Sequence, residues 1–237
     1  MSSPKNDQYF SKKPKSELKV RKLFESIRQH TLNLQTSTGV FSPENVDKGT
    51  RILIENLILP ESYSGMNILE IGAGYGPISI WLEKDYQFQN QINEKNPPIP
   101  NIYASEINER AVWLLKRNII TNNCKNITVL KGDFRDHFET LKKKGVTFQA
   151  VYINPPLKTG HDTMLDLFEQ AMDLIAPTGT IQYVQMKKLG APGFLKKLKV
   201  IKPDWYFTTV RKKGGYHVIL GSKTEFEIES KPSSGYF

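Results

Sequence analysis

The 237-residue sequence predicts an α/β protein with one mostly parallel β-sheet. Short apolar segments alternate with amphipathic ones through the centre of the chain, which is the pattern of repeated strand–helix units with right-handed crossovers. Near the end, Gly214-Gly215 separates two β-rich segments and predicts a terminal antiparallel hairpin. The length suffices for one large domain with a substantial core.

A short antiparallel pair at 17–24 and 28–35 is expected ahead of the main fold, because both segments carry alternating and β-branched residues. Ser42-Pro43 then predicts a helix start, with serine as the N-cap and proline at the first helical position. Apolar spacing extends that helix to about Leu59. Further strands are predicted at 67–71, 101–105, 126–131, 148–153, 179–185, 205–211 and 216–221, and helices at 77–84, 109–121, 162–175 and 191–198.

The remaining segments divide the chain. Residues 86–100 show little regular pattern and are interpreted as a surface insertion. We expect a disordered basic tail at 1–15, an N-terminal β extension at 16–41, the main domain at 42–222 and a C-terminal tail at 223–237.

The net charge of +9 is concentrated in two flanks. Residues 1–30 carry eight Lys/Arg and three acids, and residues 187–213 carry nine and one, whereas residues 31–186 carry fourteen and seventeen. This distribution favours a polyanion such as RNA over a small metabolite as the partner. A solvated surface without a partner is the alternative.

Nothing in the sequence indicates export or a membrane. No segment approaches the roughly twenty apolar residues of a membrane span, and Met1–Lys15 is polar and lysine-rich rather than a signal peptide. The single cysteine, Cys124, excludes an internal disulfide. A cytoplasmic location and no membrane partner are therefore expected.

A glycine-rich turn, Gly72-Ala73-Gly74-Tyr75-Gly76, lies between the predicted strand at 67–71 and a helix that begins near Pro77. Glycines allow positive φ and the close approach of a ligand, and the helix start presents unpaired N–H groups. The spacing differs from the Gly-x-Gly-x-x-Gly of dinucleotide sites. Glu70, two residues earlier, favours a ligand with a cationic amino-acid group. An ordinary strand-to-helix turn is the alternative for this segment alone.

Two other predicted strands are followed by carboxylates. Glu106 can bridge vicinal ribose hydroxyls and Asp133 can accept from an adenine amine, although either acid alone is more often a helix cap or a solvated turn residue. In open α/β sheets the ligand lies at the carboxyl ends of the strands. We therefore expect Gly72–Gly76, Glu106, Asp133 and Asn154 to converge there.

Asn154-Pro155-Pro156 ends the apolar segment 148–153. The two prolines exclude a helix and further strand pairing, so they fix an elbow whose Asn154 amide and backbone carbonyls can face a cleft. These acceptors suit a planar exocyclic amine held still while its nitrogen is alkylated. A strand-ending turn is the alternative for the tripeptide by itself. The same letters at Asn96-Pro97-Pro98 follow no apolar strand, and we assign them no site.

Together these motifs resemble the class I S-adenosylmethionine-dependent methyltransferases, with Asn154-Pro155-Pro156 as the amine-methylating motif. The segments 38–42, 46–50, 185–191 and 213–216 are similar to the ribosomal RNA small subunit methyltransferase C-like group, especially its compact archaeal members. The resemblance covers about residues 30–222. It implies a Rossmann-like class I methyltransferase fold and S-adenosylmethionine as the cofactor, without a metal. The implied cofactor contacts are Phe41, Glu70, Gly72, Gly74, Gly76, Glu106, Ile107, Asp133, Phe134 and Asn154.

The resemblance further implies an RNA N-methyltransferase in which Asn154, Pro155 and Pro156 are catalytic. The favoured target is a guanine exocyclic amine of ribosomal RNA, giving N2-methylguanosine, with tRNA as the other RNA. Leu157, Lys158 and Lys187 are the expected substrate contacts. Leu157 stands where relatives commonly have an aromatic residue that stacks on the base. The candidates to replace that ring are Phe41, Tyr183 and Tyr216, and packing in the core or against the cofactor is the favoured alternative for each. Two alternatives stay open: methylation of a glutamine side chain in a translation protein, and a non-catalytic RNA-binding protein of ribosome assembly.

Overall fold

The computed structural model describes residues 12–155 and 161–225. These residues form nine strands and six α-helices. In chain order they are β1 (Val20–Ile27), β2 (His30–Ser37), α1 (Lys48–Glu55), β3 (Asn67–Ile71), α2 (Pro77–Ile92), β4 (Asn101–Glu106), α3 (Glu109–Thr121), β5 (Ile127–Lys131), α4 (Phe134–Lys143), β6 (Phe148–Ile153), α5 (His161–Asp173), β7 (Ile175–Met186), α6 (Ala191–Ile201), β8 (Tyr206–Lys213) and β9 (Tyr216–Ser222). A 3₁₀ turn at Lys187–Leu189 joins β7 to α6.

A seven-stranded sheet of order β5-β4-β3-β6-β7-β9-β8 forms the centre of the fold. The strands β5, β4, β3, β6 and β7 are parallel, and β9 is antiparallel to both β7 and β8. The predicted α/β class, with its parallel sheet and terminal hairpin, is therefore confirmed. The order reverses direction beside β3, so the carboxyl ends of β3, β4 and β6 border one crevice, where ligands bind in such sheets.

Both faces of the sheet are covered, because successive side chains of a strand point to opposite faces. Ala150 and Tyr152 of β6 join the core shared with α1, α2 and α3, while Val151 and Ile153 join the core shared with α4, α5 and α6. All four side chains are essentially inaccessible to solvent. Burial on both faces explains why this strand is apolar apart from Gln149.

The hairpin of β1 and β2 is a separate two-stranded sheet that packs on α2 and α3. Its Ile27, Leu32 and Leu34 belong to the same buried core as the helices beneath it. Two asparagines of α3 replace a neighbouring strand along the outer edge of β2. Asn118 pairs with the backbone N–H and C=O of Gln35, and Asn122 does the same with Asn33.

Three sequence predictions are corrected. The first helix begins at Lys48 with Asp47 as its N-cap and ends at Glu55, whereas Ser42 has a left-handed φ of 46° and precedes the helix by several residues. Helix α2 continues to Ile92, so the segment 86–100 is helical over its first seven residues. Helix α4 was not predicted at all, although Asp133 caps it and Phe134, Phe138 and Leu141 are buried along it.

Of the helices in residues 12–155 and 161–225, none is long and apolar enough to cross a membrane.

Candidate active site

Two adjoining cavities lie at the carboxyl ends of β3, β4 and β6. The first, with about 770 Å³ of empty space including its open mouth, is bordered by the glycine turn, the segment before α1 and Asn154-Pro155. The second, of about 810 Å³, extends toward Asp133 and α5. Gly72, Glu106 and Ile107 line both.

The backbone of the glycine turn borders open space at Gly74. Gly74 has a φ of +58°, and a Cβ placed on it would meet no atom within 4 Å. The space beside its backbone is therefore open on the cleft side. Gly76 differs, because a Cβ there would lie 2.4 Å from Leu115 of α3, and Gly76 does not line either of the two cavities. The structure accounts for Gly76 by helix packing.

Glu106 ties the glycine turn to the end of β4. One carboxylate oxygen accepts from the backbone N–H of Gly74 at 2.7 Å, and the other accepts from the N–H of Asn108 at 2.7 Å. Burial raises the pKa of Glu106 above its ordinary value, and the hydrogen bonds from Asn108 and Gly74 oppose that rise. The carboxylate is thus fixed in place at the floor of the cleft, where a vicinal diol can reach it.

Glu70 lies deeper, below the turn. Its carboxylate accepts from both the backbone N–H, at 2.9 Å, and the hydroxyl of Ser79 in the first turn of α2. Burial raises the pKa of Glu70 to about 8, with a further small contribution from Glu106. A buried carboxyl group with a raised pKa at the edge of a cavity favours a cationic ligand group, since a nearby positive charge restores the ionised form.

Asp133 borders the second cavity and caps α4. Its two carboxylate oxygens accept from the backbone and guanidinium of Arg135, at 2.6 to 3.0 Å. The Arg135 guanidinium keeps the pKa of Asp133 below its ordinary value, so the group is an ionised acceptor at neutral pH. Phe134 and Ile107 line the same cavity and supply apolar surface for a flat ring.

Asn154 and Pro155 border the first cavity, directly after β6. The Asn154 amide nitrogen donates to the hydroxyl of Thr50 at 2.7 Å and to the carboxylate of Asp47 at 3.3 Å. Both partners belong to the start of α1, so the amide is held from one side. Pro156, Leu157 and Lys158, which complete the predicted motif and its substrate contacts, lie outside the described residues.

The segment between β2 and α1 forms one wall of the cleft, with Phe41 facing the cavity. It is fixed by side chains from below. Asn108 donates to the carbonyl of Gly39 at 2.9 Å and Arg110 to that of Thr38 at 2.6 Å. The Tyr75 hydroxyl lies 3.2 Å from the Ser42 carbonyl and 3.1 Å from that of Asn45. Ser42 itself has a φ of 46°, and its hydroxyl donates to the Asn45 carbonyl at 2.7 Å instead of capping a helix.

The three aromatic residues considered for stacking on the base have different environments in the structure. Tyr183 is fully buried among Phe168 and Phe194, so it cannot stack on a base, and that candidate is wrong. Tyr216 is largely buried and packs beside Gly49 of α1, where a Cβ would lie 3.0 Å from its ring. Phe41 is the candidate that borders the cavity. Lys187 is exposed in the 3₁₀ turn, and its N–H donates to the Gly215 carbonyl at 2.8 Å.

Sequence reasoning did not assign Asp47, Thr50 or Asn108 to the site. Asp47 and Asn108 are helix N-caps, each accepting from two backbone N–H groups of the following turn. An aspartate or asparagine directly before an amphipathic segment is a recognisable N-cap signal. That signal predicts where the helix begins, but it does not indicate which distant side chain contacts the cap residue.

The site residues fit an extended ligand with a cationic end, a diol and a flat ring. Such a ligand could contact Glu70, then Glu106, then the Asp133 side of the cleft, along the open space beside Gly74. Among the described residues, no cluster of three or more His, Cys, Asp or Glu side chains could hold a metal ion.

Comparison with known proteins identifies the fold. The structure is similar to that of the T. thermophilus 16S rRNA N2 G1207 methyltransferase (RsmC), which was solved with AdoMet and guanosine. The match covers 89% of this chain and 52% of that one, with a TM-score of 0.66 and 22% identity. It also matches M. jannaschii TYW2 in complex with AdoMet, over 84% of each chain, with a TM-score of 0.51 and 18% identity. At these identities the likeness is one of fold.

The sheet order and the cleft at its carboxyl edge define a class I S-adenosylmethionine-dependent methyltransferase. The chain belongs to the methyltransferase small domain family, whose model matches residues 31–219. The predicted family, enzyme class and S-adenosylmethionine cofactor are thereby confirmed.

Two kinds of relative stand out by sequence. YbxB of Bacillus subtilis, an uncharacterized protein, is 29% identical over 92% of this chain and 99% of its own length. The ribosomal RNA small subunit methyltransferase C of Pasteurella multocida is 24% identical over 88% of this chain and 54% of its own length. The chain therefore spans nearly all of YbxB but only about half of the latter protein.

Proposed function

We propose that this protein methylates an exocyclic amine of RNA, and that the amine is N2 of a guanine in ribosomal RNA. The observation that carries the proposal is the position of Asn154. It borders the same cavity as Gly72, Gly74 and Glu106, and its amide nitrogen is already engaged by α1. Among residues 12–155 and 161–225, no group donates to the carbonyl end of this amide, which can accept from a substrate N–H.

The chemistry needs acceptors rather than a strong base. When bound, S-adenosylmethionine would supply an activated methyl group. The amine lone pair would form the new N–CH₃ bond while the S–CH₃ bond breaks and its electron pair stays on sulfur. An aryl amine is a poor nucleophile because its lone pair is delocalised into the ring. Acceptors at Asn154 Oδ1 and the Pro155 carbonyl would hold its two N–H bonds and stabilise charge that develops only during transfer. The methylated nitrogen then loses one proton to water.

Charge around the cleft supports RNA as the substrate. Four exposed lysines, which we call the basic rim, surround the β8–β9 turn next to the start of α1: Lys48, Lys187, Lys188 and Lys212. Lys48 lies against Gly214, and Lys187 is bonded to Gly215. Among the described residues, no member of the rim forms an ion pair, whereas Lys213 pairs with Glu55.

The pKa of His217 is affected by the positive charge of this rim. Burial, and then the positive charges of Lys212 and Lys187, lower its pKa. A locally positive surface attracts phosphates and favours RNA over a neutral protein side chain. The family relatives named for ribosomal RNA methylation, and the presence of guanosine in the RsmC structure, point to the same substrate class.

The decisive experiment compares ribosomal and transfer RNA nucleosides from cells with and without this protein by mass spectrometry. We expect N2-methylguanosine in ribosomal RNA to be lost, and to return with the wild-type protein but not with Asn154→Ala. In vitro, Asn154→Ala should keep S-adenosylmethionine affinity while turnover falls by about a hundredfold or more, as for the loss of one transition-state hydrogen bond.

Three outcomes would contradict the proposal. An unchanged nucleoside profile with a methylated glutamine in a translation protein would assign the same acceptor motif to a protein substrate. Cofactor binding with no transfer to any RNA or protein would indicate a non-catalytic role. Wild-type turnover by Asn154→Ala would refute amine methylation at this site.

A further inference from the structure

The side chain of Asn154 is held by two residues at the start of α1, more than a hundred positions earlier in the chain. Its Nδ2 lies 2.7 Å from Thr50 Oγ1 and 3.3 Å from Asp47 Oδ2. Thr50 is buried, and Asp47 and Asn154 are half-buried at the cavity edge. The three side chains thus form one hydrogen-bonded group that borders the cleft.

The group determines which way the amide points. Asp47 carries a carboxylate, which accepts hydrogen bonds and cannot donate them when ionised. If the amide were rotated by half a turn, its oxygen would face this carboxylate, and only the Thr50 hydroxyl could still bond to it, by donating. Asp47 therefore determines the observed orientation, with nitrogen toward α1 and oxygen on the other side, and Thr50 adds a second acceptor for the amide nitrogen.

The anchor itself is rigid. The same Oδ2 atom of Asp47 accepts from the backbone N–H groups of Gly49, at 2.8 Å, and Thr50, at 3.1 Å. Tyr216 of β9 also packs against Gly49, where an added Cβ would lie 2.9 Å from Asp47 Oδ2 and 3.0 Å from the Tyr216 ring. The cap thus fixes the carboxylate in the first turn of the helix, with little room to move.

We propose that Thr50 and Asp47 are positioning residues that hold the Asn154 amide with its oxygen toward the substrate amine. The inference rests on the proposed methyl transfer at Asn154 and adds the reason why its oxygen is correctly placed. Neither residue needs to touch the substrate. Their contribution is to remove the rotational freedom of the amide before the amine arrives.

The first test is Thr50→Val, which keeps the shape of the side chain but removes the acceptor. We expect kcat to fall by about tenfold to a hundredfold, as for a small misplacement of a catalytic group, while the KM for RNA and the affinity for S-adenosylmethionine stay near wild type. Thr50→Ser retains the hydroxyl and should restore most of the lost turnover. Thr36→Val is the matched control, since Thr36 is fully buried in β2 and its hydroxyl has no hydrogen-bond partner in the part of the chain that the structure describes.

A double-mutant cycle separates positioning from a general loss of structure. If Thr50 acts through Asn154, Thr50→Val should add nothing to the rate already lost in Asn154→Ala. Multiplicative losses, or equal losses in Thr50→Val and Thr36→Val, would overturn the inference.

A second readout needs no activity. In ¹⁵N NMR spectra the Asn154 side-chain amide of the wild type should give two separate, rigid proton signals. These should shift and broaden in Thr50→Val but persist in Thr50→Ser. If they behave in this way and no RNA is methylated, the proposed function fails and the positioning contact stands. If Thr50→Val leaves them unchanged, the positioning role fails, whatever the reaction is.

Discussion

The carboxylate of Glu106 is 2.7 Å from the backbone nitrogen of Gly74, although the two residues are 32 positions apart. With its other oxygen on Asn108, Glu106 links the glycine turn to the start of α3. Glu106, which the sequence predicts as a ribose ligand, therefore also stabilises the conformation of the glycine turn. Binding of a diol has to share or replace one of these two hydrogen bonds.

Glu106→Gln should weaken S-adenosylmethionine binding by about 1–3 kcal/mol, the value of a hydrogen bond to a charged group. The substituted amide would present N–H₂ to one of the two backbone N–H groups that now donate to it. Calorimetric titration measures the effect. Glu83→Gln is the matched control, because Glu83 is likewise buried and accepts from two backbone N–H groups, of Lys125 and Asn126, away from the cleft. Equal affinity in the wild type and Glu106→Gln would reject the assigned ribose contact.

Gly74→Val should abolish cofactor binding without a packing clash in the ligand-free protein, because the new side chain would enter the open cleft. Its positive φ imposes a strain of about 1–2 kcal/mol on any non-glycine residue. Gly65→Val separates the two effects, since Gly65 also has a positive φ and open space around its Cβ but lies before β3. Both variants should unfold at lower denaturant concentration, and only Gly74→Val should fail to bind. Loss of binding in both would point to strain rather than to blockage.

At pH 7, cofactor binding should release a proton from Glu70. Its pKa of about 8 keeps the carboxyl mostly protonated without a ligand, and a cationic amino group beside it would drive it to ionise. Calorimetry at pH 7 in two buffers of different ionisation enthalpy measures the released proton. Glu70→Gln should release none, whereas Glu106 remains in both proteins and cancels in the comparison. Proton uptake, or no difference between the two proteins, would place the amino group elsewhere.

The same shift affects stability without a ligand. The folded protein binds more protons at Glu70 than the unfolded chain between about pH 4.5 and pH 8. The stabilisation from this group is therefore complete below pH 4.5 and is lost as the pH rises toward 8. Replacement by Gln should flatten that part of the stability profile, as measured by denaturant unfolding.

Neutralising the basic rim should weaken RNA binding and reduce its salt dependence by about one unit of slope for each lost phosphate contact. The test is four Lys→Gln changes at Lys48, Lys187, Lys188 and Lys212. The matched control has four Lys→Gln changes at the opposite end of the sheet, at Lys125, Lys142, Lys143 and Lys144, which are also exposed. Filter binding over a salt series would show equal losses in both if only the net charge mattered.

The local signals in the sequence predicted which residues lie together at one cleft, because each signal is complete within a few residues. The glycine turn and Asn154 follow the buried strands β3 and β6, Glu106 ends β4, and Asp133 follows the edge strand β5. Parallel strands bring these carboxyl ends together. The same reasoning failed at Ser42-Pro43. There a local cap signal competes with the Tyr75 hydroxyl, which binds the Ser42 and Asn45 carbonyls from another part of the fold.

Other features depend on distance in the chain. The contact between Thr50 and Asn154 spans 104 positions, and nothing in either segment specifies its partner. Helix α4, in contrast, was within reach of the sequence. Phe134, Phe138 and Leu141 have helical spacing, and Asp133 before them can cap a helix, yet no helix is predicted between the strands at 126–131 and 148–153.

The asparagines of α3 set a limit on how far this enzyme can be shortened. Asn118 donates to the Tyr75 carbonyl in the glycine turn, at 2.8 Å, as well as to Gln35 in β2. Asn118 and Asn122 are almost completely buried, so a chain that starts after Ser37 would leave both amides without their partners in β2 under newly exposed apolar surface. We expect such a fragment to lose cofactor binding along with stability, because Asn118 bonds both to the missing strand β2 and to the glycine turn that borders the proposed cofactor cleft.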